Sequence, residues 1–173
     1  GELNGDDVSY YHTKTDDIIL SGFHLIGNPF AHNIYKGEGA AIEDKNLATG
    51  YYTLSNSGAW GVKISSEIPI APGQGILLKT LQEGDVIFKK INTSPSRKSN
   101  VDVLSISVKN NDYEDNAFIL FNEGESLEKI NHQNQNVPMI YLPVDGVNYA
   151  VANLSDDVKD LPLSFKATTM GEY

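Results

Sequence analysis

With 173 residues, 40% of them apolar, and a net charge of −10, the chain is long enough for one domain or two small ones and can build a core. The acidity disfavours nucleic acids and anionic membrane surfaces as partners, because both are bound through clustered Lys and Arg. Cysteine is absent, which removes disulfides, thiolate metal sites and cysteine nucleophiles.

The pattern is one of strands and turns. The sequence opens GELNGDD, without a Met, and carries no visible signal peptide. Short apolar runs at 18–20 and 23–26 are broken by Ser21-Gly22, and Asn28-Pro29 then turns the chain into the glycine-rich stretch ending at Gly39. This stretch, 22–39, reads as a strand, a proline corner and a return, since the residue before a proline is pushed to extended geometry and Pro fixes φ. Residues 51–54 and 60–64 flank a Ser/Asn/Gly turn and read as a hairpin. Runs at 76–78 and 86–88 flank Glu83-Gly84-Asp85 and predict another. The polar, proline-containing stretch 92–100 is the best linker in the chain.

Beyond it, Leu104, Ile106 and Val108 alternate with Ser105 and Ser107, the period of a half-buried strand. The run 117–121 suits a central strand. Asp145-Gly146 between the runs 139–144 and 147–151 is the strongest hairpin signal. Leu161, Leu163, Phe165 and Ala167 alternate with polar residues, and Pro162 favours an edge position for that strand. One-turn helices are conceivable only at 38–47 and 126–132. The closing MGEY follows strand-like sequence directly, so the chain is expected to be a piece of a longer protein. No run approaches the roughly 20 apolar residues of a membrane span.

The expected architecture is all-β: an antiparallel β-sandwich arrangement of two small modules packed together, 1–91 and 101–173, joined by the linker 92–100.

Few residues suggest chemistry. Phosphate cradles need GxGxxG or GxxxxGK[ST] leading into a helix. Gly37-Glu38-Gly39 lacks the third glycine, and 71–75 runs into a strand. Of His12, His24, His32 and His132, only His24 and His32 are close in sequence, and no metal-ligand spacing occurs. The acidic groups Asp6-Asp7, Asp16-Asp17, 112–115 and Asp156-Asp157 read as solvated turn charges. A glycosidase pair or a calcium loop is the sharper alternative, although Ala117 occupies the position where an EF-hand loop needs glycine. No metal site, cofactor or catalytic residue is assigned, and the chain is not expected to be an enzyme.

Aromatics give the one binding signal. Tyr51, Tyr52 and Trp60 surround one predicted hairpin and are the candidate ligand-binding residues, because rings on a sheet face can stack on sugars. Tyr51 and Tyr52, being adjacent in a strand, point to opposite faces, so at least one belongs to the core. Trp60, Val62 and Ile64 share a face, which predicts that the indole packs inward.

The blocks "GFHLIGNPF", "GYYTLSNSGAWGVK", "IPIAPGQGILLKTLQEGDVIFKK", "NAFILFNEGES" and "YLPVDGVNYAVANLSDDVKDLPLSFKATTMGEY" occur in an order that resembles the C-terminal all-β region of large surface and secreted, adhesin-like proteins of the Bacteroidetes. In that family a "G-W-N-L-I-G-N-P" motif precedes an "I-x-P-G-Q-G-F-F-V-K" strand. Here Phe23 and His24 stand in place of Trp-Asn, and 76–78 in place of the aromatic pair; both swaps preserve burial. The resemblance implies an all-β accessory segment in an extracellular or cell-surface location on the bacterial envelope, acting in adhesion or as a spacer. Its partner would be a glycan or a host or cell-surface protein. A carbohydrate-binding module is the alternative, and a glycosidase fragment a further one.

Overall fold

The computed structural model describes residues 6–12, 21–92, 102–122, 124–155 and 160–168. Among them are twelve strands and no helix: β1 Val8–His12, β2 Phe23–Gly27, β3 Tyr51–Leu54, β4 Trp60–Lys63, β5 Gly75–Lys79, β6 Gly84–Phe88, β7 Val103–Lys109, β8 Glu114–Leu120, β9 Leu127–Glu128, β10 Met139–Val144, β11 Val147–Asn153 and β12 Ser164–Lys166. The all-β, sandwich-like class expected from the sequence is what the chain adopts. The predicted strand at 18–20 lies outside the described residues, as does the linker apart from Asn92. Neither one-turn helix forms; 126–132 instead contains β9.

The chain divides into two compact units, Gly1–Tyr52 with Lys63–Ser99 and Thr53–Val62 with Asn100–Tyr173. This differs from a single cut at 92–100, because the outer half of the β3–β4 hairpin groups with the later residues. The reason is hydrogen bonding that no local pattern reveals. Gly58 O accepts from Gln133 N at 3.0 Å and from Asn134 N at 3.2 Å, and Asn134 Nδ2 donates to Ser57 O at 3.0 Å.

In the first unit β1 pairs antiparallel with β6, and β2 with β5 from Phe23↔Lys79 to Gly27↔Gly75. β5 also pairs antiparallel with β3, at Tyr52↔Leu77. Runs 76–78 and 86–88 are therefore not a hairpin: β5 and β6 belong to different sheets. The connection between them is held by Asn46, whose carbonyl takes Leu81 N at 3.1 Å and whose Oδ1 takes Gln82 N at 2.9 Å. The core is Ile26, Phe30, Ile34, Ala41, Ile42, Leu47, Tyr51, Ile70, Ile76, Leu78, Val86 and Phe88.

The corner after β2 is organised by one side chain. Asn28 is buried. Its Oδ1 accepts from Phe30 N at 2.9 Å, and its Nδ2 donates to the carbonyls of His32 and Ile70, each at 2.9 Å. An Asx turn thus caps the proline corner and ties it to the bridge Ile34↔Ile70.

In the second unit the sheet order is β12-β10-β11-β8-β7, with β9 paired to β11. β10 and β11 form the expected hairpin. Asp145 and Gly146 both have left-handed φ, 49° and 83°, the conformation that a type I′ turn requires. β8 lies in the middle of the sheet and pairs with β11 in parallel, the one parallel ladder among the described strands. β12 is an edge strand, as Pro162 implied, but the expected apolar face from Leu161 to Ala167 is not buried: Leu163 and Phe165 are about half exposed. Val108, Ala117, Ile119, Ile140, Leu142 and Ala152 form the core.

Candidate functional site

The aromatic residues singled out from the sequence do not form a platform. Tyr51 and Tyr52 are 2% and 0% exposed, so both faces of β3 are covered there and neither ring is open to a sugar. The Tyr51 hydroxyl is buried without a hydrogen-bond partner, and burial pushes its pKa up to about 12. Trp60 is half-buried, and all four positions of β4 share that intermediate burial. The expected alternation, with Trp60 turned fully inward beside Val62, is therefore absent. Trp60 also falls in the second unit and the tyrosines in the first.

The histidines assemble differently from their sequence spacing. His24 lies against His12, not His32, with ring centroids 3.6 Å apart and planes tilted by 39°. His32 stacks on Phe30 at 5.4 Å. Desolvation lowers the pKa of both members of this pair; the His12 charge adds to the effect on His24, and Asp85 partly opposes it on His12.

The second unit holds a buried polar network that the sequence did not announce. Asp115 stands on β8 one position of the pleat from Ala117, on the core face. Lys129 Nζ donates to Asp115 Oδ1 at 2.6 Å and Oδ2 at 2.5 Å, and Ile140 N donates to Oδ2 at 2.8 Å. The side chains of Asp115, Lys129 and His132 are all at most 2% exposed. Burial by itself would raise the Asp115 pKa, but His132, Lys129 and the Ile140 N–H together outweigh it and hold the carboxyl below its ordinary range. Desolvation lowers the Lys129 pKa, with Asp115 opposing. Asp115 is thus no solvated turn charge, contrary to the sequence expectation for 112–115. The available signal was its parity with Ala117 and Ile119 in a strand.

His132 links this network to the surface. Its Nδ1 accepts from Trp60 N at 3.0 Å, which places the proton of the neutral ring on Nε2. Nε2 lies 3.4 Å from Asp115 Oδ1, too poorly aligned for a full hydrogen bond. The same imidazole forms part of the wall of a cleft of about 380 Å³, lined also by Asn131, Asn134, Gln135, Val137, Met139, Lys166 and Thr168. β10 and β12 build one side, since Met139 and Lys166 are register partners. Asn134 builds another: its Oδ1 accepts from Asn136 N at 3.0 Å, and its Nδ2 donates to Ser57 O and to the Tyr113 hydroxyl. Thr168 Oγ1 donates to Gln135 O at 2.5 Å and closes the end. A volume in this range suits a small molecule; such sites typically measure about 300–1,000 Å³. Among the described residues no group of three His, Asp or Glu side chains is placed to hold a metal ion.

The fold and this cleft define an all-β protein with a polar, ligand-sized depression in its second unit. No family model, no curated protein and no solved structure matches the chain.

Proposed function

We propose that the chain is a non-catalytic binding module of a bacterial cell-surface protein, acting in adhesion. The observation that carries this reading is the state of His132. It is the one imidazole lining the cleft, and both its nitrogens are turned into the protein, toward Trp60 N and Asp115. A general base must reach the proton it removes, and this ring has no nitrogen directed at the cleft. Among the described residues the lining therefore offers amides and an ammonium for holding a ligand, without a base or a paired carboxylate for attacking one. The acidic surface and the family resemblance of the strand-and-turn blocks support display outside the cell.

The glycosidase alternative loses its best acidic cluster, since Asp115 is locked by Lys129. Antibodies against the chain should label intact cells of the source organism, and protease applied outside should remove the signal. Labelling only after permeabilisation would end the surface reading.

A further inference from the structure

The lining of the cleft has a chemistry more specific than its size. Asn134 and Thr168 are engaged in holding the walls together. The side chains of Asn131 and Gln135 and the ammonium of Lys166 have no hydrogen-bond or ion-pair partner among the described residues. All three lie on the exposed rim. Val137 is buried and Met139 half-buried, so they form an apolar floor beneath these groups. Among the described residues no carboxylate lines the cleft, although the whole chain carries a net charge of −10. A lysine without a counter-ion gives an anion a local attraction that works against the repulsion of the acidic chain.

We infer that this cleft binds an acidic sugar, a hexuronate unit of a glycan, through Lys166, Gln135, Asn131 and the Val137–Met139 floor. The sugar carboxylate takes the Lys166 ammonium as a charge-assisted hydrogen bond, roughly twice as strong as a neutral one. The primary amides of Asn131 and Gln135 each present two donors and an acceptor, which match vicinal hydroxyls. The apolar C–H face of the pyranose lies on Val137 and Met139. A plain fatty or aromatic acid would leave both amides unpaired, and a neutral sugar would leave the ammonium without an anion. This assignment names the ligand of the adhesion module and rests on the non-catalytic reading of the same cleft.

The test is isothermal calorimetry on the 173-residue chain, titrated with digalacturonate, with the matching neutral digalactose, and with acetate. Digalacturonate should bind, digalactose about tenfold or more weakly, since a charged hydrogen bond contributes about that factor. Acetate should give no measurable heat. Added salt should weaken digalacturonate alone. Lys166→Met, a change on an exposed edge strand, should abolish the preference for the acidic sugar while the far-ultraviolet spectrum stays that of the parent. Gln135→Leu should weaken both sugars. Trp60, the single tryptophan, should change its fluorescence on binding, because its backbone N–H is bonded to the imidazole in the cleft wall. Absence of digalacturonate binding, equal affinity for digalactose, equal affinity for acetate, or unchanged binding in Lys166→Met would each overturn the assignment. Surface labelling of cells depends on none of these titrations, so a failed adhesion reading and a failed ligand assignment are told apart.

Discussion

At the scale of single residues, polar atoms are costly where burial leaves them unpaired. The Tyr51 hydroxyl is buried without a partner, and an unsatisfied buried polar group costs about 1–3 kcal/mol. Tyr51→Phe keeps the ring and removes only that atom, so stability in urea should rise by about 1 kcal/mol. A loss of that size would mean that the hydroxyl has a partner after all. Lys129 is the opposite case. Its removal leaves the Asp115 carboxylate buried with only Ile140 N donating a full hydrogen bond. Lys129→Met should destabilise the second unit by about 3–5 kcal/mol, whereas the double change Asp115→Leu with Lys129→Met should recover most of it. If the single variant melts like the parent, the pair is not the anchor of that core. Trp60 is only half-buried, so the cost of its truncation should fall short of the about 3–5 kcal/mol of a fully buried tryptophan.

At the scale of elements, turns decide which strands meet. Gly22 enters β2 with φ of 81°, and a Cβ there would lie 2.5 Å from the Thr80 carbonyl oxygen. That oxygen is backbone and cannot swing away, because the neighbouring Thr80 N–H donates to Gly22 O at 2.8 Å. Gly22→Ala should therefore cost at least the roughly 1–3 kcal/mol of a strained backbone, read by denaturant unfolding. Gly39→Ala is the control: φ is also left-handed, but nothing lies within 4 Å of the added carbon, so its cost should be smaller. Equal costs for the two would show that the close approach at Thr80 contributes nothing. The Asp145-Gly146 hairpin was legible because two residues and their flanks suffice to set a type I′ turn. The supposed hairpin around Gly84 was not, because Asn46 captures the 80–83 connection from far along the chain. Likewise, Asn28-Pro29 announced a corner, but the bond from Asn28 to Ile70 O could not be read from its neighbours.

At the scale of the whole molecule, acid should act through the first unit before it reaches the second. The His12 and His24 rings lie against each other, their Nε2 atoms are buried without partners, and both pKa values lie below the ordinary 6.5. Between the ordinary value and the lowered one, the unfolded chain binds more protons than the folded one. Stability is therefore fully present above about pH 6.5 and declines as pH falls toward the folded pKa values. Melting temperature should drop between about pH 7 and about pH 5, and His24→Gln should flatten part of that drop. A flat profile across this window would remove the pair from the account. The lowered Asp115 carboxyl acts in a different window: its contribution is present above the ordinary carboxylate value of 3.8 and is lost as pH falls through the folded one.

The sequence by itself determined the strand class, most strand positions and the type I′ hairpin, since alternation and turn chemistry act over a few residues and need no distant partner. Alternation also carried a warning at Asp115, a charge in register with Ala117 and Ile119. Only the tertiary structure decided where that charge finds Lys129 and His132, that His12 meets His24, and that both Tyr51 and Tyr52 lose their exposure. It alone placed residues 53–62 with the second unit and brought Lys166 beside Gln135 and Asn131 to make a cleft. Those pairings join positions tens of residues apart, where burial and hydrogen-bond satisfaction are set by the packing of elements and not by any local pattern.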